Sequence, residues 1–138
     1  MLLDLDSIAT SARRLGFPTN RIDQETLEIA LGDDLFLVFK NFEERNHNVF
    51  GFRGTPGHDH DSIYLMIGDD EYVNFEAIDI IAAIRDGSIL IIEEYVDGVL
   101  LDRWMQHRDA KVDNQDMMPG EKVRIRRFPF LAEQGKPS

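Results

Sequence analysis

Glu76-Ala-Ile-Asp-Ile-Ile-Ala-Ala-Ile-Arg-Asp-Gly87, Ser88-Ile-Leu-Ile-Ile-Glu-Glu-Tyr-Val-Asp-Gly98 and Val99-Leu-Leu-Asp-Arg-Trp-Met-Gln-His-Arg108 together form the most apolar and best punctuated stretch of this 138-residue chain. Its first third reads as a helix over about 76–86. Ile78, Ile81, Ala82 and Ile84 recur at spacings of three and four, and Ile80 widens that apolar face. Gly87 is the stop, because the position after a helix often needs a positive φ that glycine enters without strain. Ile89 to Ile92 is continuously apolar and rich in β-branched residues, the pattern of a strand covered on both faces. Asp97-Gly98 reads as a two-residue hairpin turn, since both residues tolerate positive φ.

With Asp97 and Gly98 as the loop, Val96 faces Val99, Tyr95 faces Leu100, Glu93 faces Asp102 and Ile91 faces Trp104. Like charges directly opposite one another are destabilising. Either the register differs, or a cation sits nearby, or the acidic pair serves a partner; on a solvated surface water screens the repulsion and its cost is small.

Outward from this stretch the chain breaks into short segments. Residues 4–15 read as a first helix, with Leu5, Ile8, Ala9, Ala12 and Leu15 on one face, Asp4 or Asp6 as cap and Gly16 as terminator. Phe17 to Asn20 reads as a loop. Thr26–Leu31 alternates Leu27, Ile29 and Leu31 against Glu28 and Ala30, which predicts a half-buried strand. Helix formers make helix an alternative there, but the Gly32-Asp33-Asp34 turn favours a hairpin with Leu35–Phe42. Further strands are expected at 49–53, 62–67, 71–75 and 122–128, the last with Val123 and Ile125 inward and Lys122, Arg124 and Arg126 outward. Residues 54–61 read as a polar loop, 109–121 as irregular, and 134–138 as a frayed tail. The expectation is a single α+β domain spanning 1–138, built on one curved antiparallel sheet of about seven to eight short strands with two helices.

Composition narrows the function. Hydrophobic residues make up 43% and charged residues 30%, which fits a globular domain with a real core. No apolar run is long enough to span a membrane. Acids in Met1-Leu-Leu-Asp-Leu-Asp6 occupy the place where an export signal needs bases, so a cytoplasmic location is expected. Cysteine is absent, which excludes disulfides, thiolate metal sites and a cysteine nucleophile. Net charge is −11, split between −14 over residues 1–119 and +3 over 120–138. A body this acidic repels nucleic acid, whose binding requires phosphate neutralisation, and attracts basic proteins through long-range steering.

Chemistry-bearing motifs are few. There is no phosphate-binding glycine loop, no dinucleotide fingerprint and no Gly-x-Ser-x-Gly nucleophile elbow. Gly57-His58-Asp59-His60-Asp61 has metal-ligand character. On an extended backbone His58 and His60 point the same way, and Asp61 adds an oxygen, a set suited to one transition metal such as zinc. A third ligand is open between His47, His107 and an acid on a neighbouring strand. The plain alternative is a polar surface loop. His58-Asp59-His60 resembles the His-x-His of the first cupin motif, a family of small metal-binding β-barrels. The pattern then departs: Ile63-Tyr-Leu-Met66 lacks the following Glu, and no His follows Pro119-Gly120. The metallo-β-lactamase pattern likewise ends at Ser62-Ile63. Trp104 reads as a core anchor, and Arg124, Arg126 and Arg127 as a basic face that pairs with the acidic body.

In size, acidity, lack of cysteine and an α+β layout without an active-site motif, the chain resembles the small cytoplasmic immunity proteins of bacterial polymorphic-toxin and contact-dependent-inhibition systems. That resemblance implies a non-enzymatic inhibitor, without cofactor, that blocks a basic, nuclease-like toxin through an acidic surface. The surface expected here comprises Asp69, Asp70, Glu71, Glu93, Glu94, Asp97 and Asp102, with Tyr72 or Tyr95 as aromatic anchor. The alternatives are a small metalloprotein using His58, His60 and Asp61, and a regulatory or structural adaptor.

Overall fold

The computed structural model describes residues 1–110 and 118–130. Among these the order is α1 (Leu5–Arg14), β1 (Thr19–Asp23), β2 (Thr26–Gly32), β3 (Leu35–Phe42), β4 (His47–Phe52), β5 (His58–Asp59), β6 (Ser62–Gly68), β7 (Glu71–Glu76), α2 (Ala77–Arg85), β8 (Ile89–Val96), β9 (Val99–His107) and β10 (Glu121–Arg126). The fold is α+β and every strand pair is antiparallel. The strands do not form one sheet as expected. They form three: a five-stranded sheet ordered β1-β2-β3-β4-β5, a three-stranded sheet β10-β8-β9, and a two-stranded β6-β7 hairpin. The expected loop at 17–20 ends in the exposed edge strand β1, and the expected loop at 54–61 contains the two-residue β5. The expected frayed tail and the middle of the 109–121 segment lie outside the described residues.

Local chemistry starts α1 and stops α2, whereas α2 begins at Glu76 without a side-chain cap. Asp4 caps α1 by accepting from the Ser7 amide and hydroxyl, and those bonds hold its carboxyl below its usual value. Leu5, Ile8, Ala9 and Ala12 are the buried face of α1, as the spacing predicts. In α2 the buried residues are Ala77, Ile80, Ile81, Ala83 and Ile84, whereas Ile78 is 41% exposed and Ala82 faces solvent. The expected face is therefore rotated, because 77, 80, 81 and 84 also keep the three-four spacing and a helix this rich in Ile and Ala offers more than one apolar stripe. Gly87 terminates α2 at φ +84°.

One core joins these layers. It draws Leu5, Ile8 and Ala12 from α1, Leu27, Ile29, Leu37, Phe39 and Phe50 from the large sheet, Ile80, Ile81 and Ile84 from α2, and Ile89 and Ile91 from β8. Each such aliphatic or aromatic side chain contributes about 1.5–3 kcal/mol on burial. Asn41 reinforces the N-terminal segment by bonding both the amide and the carbonyl of Leu3 at 2.9 Å. β8 is the central strand of its sheet and is buried on both faces from Ile89 through Glu93.

The β8–β9 hairpin turns on Asp97 (φ 50°) and Gly98 (φ 81°), the positive-φ pair its sequence predicts. Val96 pairs with Val99 and Tyr95 with Leu100, also as expected. Beyond that the register shifts. Leu101 is an extra residue, so Glu94 faces Asp102, Glu93 faces Arg103, Ile92 faces Trp104 and Ile91 faces Met105. This bulge corrects the expected Glu93–Asp102 opposition. A shift of one residue exchanges the two faces of a strand, so Arg103 points to the buried side with Glu93 and Trp104 points to the other.

Candidate functional site

The β6–β7 hairpin exposes large apolar and aromatic side chains on one face. Ile63 and Leu65 point into the core, so the alternate residues Tyr64 and Met66 point out. Met66 pairs with Tyr72 and Tyr64 with Asn74, which places all four on one face. Tyr64 is 70% exposed, Met66 48% and Tyr72 57%. The turn joining the strands is Asp69-Asp70, with Asp70 at φ 60°, followed directly by Glu71. All three acids are exposed. The result is an aromatic and thioether face with three carboxylates at its tip. At the base of the hairpin a groove of about 370 Å³ continues from this face, lined among others by Leu2, Asp4, Asp61, Asn74, Glu76 and Ile78. Asn74 belongs to both.

The acids expected on β8–β9 have different surroundings. Glu93 is fully buried, with Arg103 Nε at 2.7 Å, Arg126 Nη1 at 3.4 Å and Arg124 Nη1 at 3.8 Å, and it accepts from Tyr95 Oη at 3.3 Å. It is inaccessible to a partner, which corrects its placement on the acidic surface. Arg126 is also buried and forks onto Asp34 at 3.0 and 3.1 Å. Hydrogen bonding by Arg126 holds the Asp34 carboxyl below its usual value. Burial opposes the charge of Arg126, but Asp34 and Glu93 outweigh it and push the guanidinium above its ordinary value. The expected outward face of the last strand is corrected too: Arg126 points in and Ile125 is exposed. The basic strand pairs with acids of the body, as anticipated for Arg124 and Arg126.

Glu94 and Tyr95 are half-buried and Asp97 is exposed at the turn. Asp102 has a structural task. Its Oδ1 accepts from the amides of Gly57 at 2.9 Å and Arg103 at 2.8 Å, which moors the 54–59 loop against β9. The structure therefore gathers Asp69, Asp70, Glu71 and Tyr72 at one hairpin tip and commits Glu93 and Asp102 to internal bonds.

The histidine cluster divides. His58 Nδ1 lies 3.1 Å from the Pro56 carbonyl oxygen, while the His60 ring sits 5.4 Å from that of His47. Asp61, at φ 65°, is engaged with Asn48: its Oδ1 accepts from Asn48 Nδ2 at 2.7 Å and its amide donates to Asn48 Oδ1 at 2.8 Å. Among the described residues no group of three or more His, Asp or Glu is gathered as a metal site requires. Trp104 is half-buried beside the 57–59 loop and is not part of the main core. Among the described residues no helix is long and apolar enough to cross a membrane.

Tyr64 and Met66 were not anticipated as surface residues. Their signal lay in Ile63-Tyr64-Leu65-Met66 itself: a fully apolar strand exposes half its side chains whenever only one face is covered. No protein-family model, curated protein or solved structure matches the chain.

Proposed function

We infer that the protein is a non-enzymatic binding protein that captures a basic protein on the outer face of the β6–β7 hairpin. The observation that carries this is the exposure of Tyr64, Met66 and Tyr72 on one face beside Asp69, Asp70 and Glu71. Tyrosine and methionine are enriched at protein interfaces, and tyrosine at their energetic centres. A carboxylate rim on a chain of net charge −11 steers a cationic surface toward that centre. Within this reading the protein is a cytoplasmic immunity-type inhibitor whose target is a basic toxin domain, nuclease-like in charge.

The test is a competition assay in the native host. A strain lacking this protein should be outcompeted on contact with its parent. Wild-type protein should restore growth, and a D69K/D70K/E71K variant with an unchanged unfolding curve should not. Equal growth of the deletion strain, or full rescue by the variant, would overturn the reading.

A further inference from the structure

Sequence spacing pairs His60 with His58, but the folded chain pairs it with His47. β5 ends at Asp59, and the chain turns at Asp61, at φ 65°. His58 stays within its own loop, its Nδ1 3.1 Å from the Pro56 carbonyl oxygen. The His60 ring instead comes to 5.4 Å from the His47 ring, centre to centre, with 50° between the ring planes.

Neighbouring residues build this spacing in. Asn48 follows His47 on β4, and Asp61 follows His60. Asn48 is fully buried and bonds Asp61 twice: its Nδ2 donates to Asp61 Oδ1 at 2.7 Å, and its Oδ1 accepts from the Asp61 amide at 2.8 Å. The same Nδ2 donates to the Met1 carbonyl at 2.7 Å, so Asn48 is anchored to a second segment as well. The turn is closed by the Ser62 amide, which donates to the His60 carbonyl at 2.7 Å. His47 is fixed from within its own sheet. It is the cross-strand partner of Phe42, and the two rings stack at 6.3 Å with 28° between them. The two imidazoles are thus carried by separate segments that are clamped together one residue away. A ligand joining them would find the segments already ordered, which lowers the cost of binding.

The chemistry of the pair is that of a transition-metal ligand set. Neutral imidazole is the commonest side-chain metal ligand and suits zinc, copper and nickel. Two imidazoles that share one tetrahedral metal through nitrogens at about 2.1 Å have ring centres roughly 5 Å apart. The observed 5.4 Å agrees with that distance. Among the described residues no ring nitrogen of His47 or His60 is taken by a hydrogen bond or an ion pair, whereas His58 and His107 are each engaged through Nδ1. His60 lies at the surface, and the terminal torsion of a histidine ring is broad, so the ring can turn a nitrogen toward a metal at little cost. A pair falls short of the three or four protein ligands of a dedicated zinc centre. It makes an open, two-point site whose other positions are left to water or to a donor atom on a bound molecule.

We propose that His47 and His60 together bind one divalent transition-metal ion of the zinc, nickel or copper class. The site stands apart from the hairpin face and is tested without it. The full-length protein is titrated with zinc chloride by calorimetry in a non-coordinating buffer, with magnesium chloride as control. Zinc should saturate at one ion per chain. Magnesium, which takes oxygen ligands, should give no heat of binding. His47→Ala and His60→Ala, each checked for an unchanged urea unfolding curve without metal, should weaken zinc by more than about tenfold, the least that loss of even an outer-shell partner costs a metal site. His58→Ala should bind zinc as wild type does.

The His47 ring is half-buried against Phe42, so a second readout uses the unaltered chain. On addition of zinc the imidazole resonances of His47 and His60 should shift together, and those of His107 should stay in place. Zinc affinity unchanged in both variants, a loss in His58→Ala equal to that in His60→Ala, or zinc-dependent shifts that leave out His47 would overturn the proposal. So would heats that never saturate, the mark of adventitious surface binding.

Discussion

Glu93 is the residue whose removal discriminates most sharply between a buried ion network and a solvated acidic face. Its carboxylate compensates Arg103 and Arg126 in the interior. Glu93→Gln preserves the shape, leaves Arg103 without its counter-charge and leaves Arg126 with Asp34 alone, so urea unfolding should show a loss of about 3–5 kcal/mol. A loss below about 0.5 kcal/mol, the usual size of a surface effect, would contradict the network. Asp34 makes a prediction in pH. Its carboxyl is lowered on folding by the hydrogen bonds from Arg126. A lowered carboxyl stabilises the fold above its unfolded value, near pH 4, and that contribution is lost as pH falls through the folded value. Wild type should therefore lose stability on acidification below about pH 4 more steeply than Asp34→Asn. Identical acid profiles would show that the Arg126 bonds do not persist in solution. The particular partners were not visible from residue spacing, because Asp34 and Arg126 lie 92 positions apart and only the folded chain brings them together.

At the scale of elements, α2 offers a direct check of the rotated face. Ile81 is fully buried and Ile78 is 41% exposed. Ile81→Ala should cost about 2–5 kcal/mol in thermal or urea unfolding, and Ile78→Ala should stay within about 0.5 kcal/mol. The reverse order would restore the face read from spacing alone. The elements with local punctuation were legible: α1 between Asp4 and Gly16, the β2–β3 turn at Asp33-Asp34, the stop at Gly87, and the Asp97-Gly98 turn. Their signals act over a few residues and need no tertiary context. The Leu101 bulge was not legible, since nothing in Val99-Leu-Leu-Asp102 says which leucine is extra. What selects the register is the burial of Arg103 beside Glu93 and the docking of Asp102 on Gly57, both of which are long-range contacts. The same holds for the strand polarity of β10. Alternation placed Val123 and Ile125 inward, but the buried carboxylate recruits Arg126 instead and leaves Ile125 exposed.

For the whole molecule, charge was legible and its distribution only partly so. The excess of acids follows from composition, and the hairpin tip at Asp69-Asp70-Glu71 does display three of them on the surface. The aromatic face beside them depends on β6–β7 standing as a separate two-stranded sheet, a topological fact that local patterning does not contain. A partner steered by this surface should associate more slowly as salt rises, because screening shortens the reach of the field to about 8–10 Å at physiological ionic strength. Tyr72→Ala should act differently, chiefly on dissociation, with a loss of about 2 kcal/mol or more if Tyr72 is an interface centre. The most direct measurement is native mass spectrometry of the protein purified under mild conditions from its native host, with wild type and D69K/D70K/E71K run side by side. The account predicts a basic protein bound at fixed stoichiometry to wild type and missing from the variant. Equal retention of that protein by the variant would contradict it.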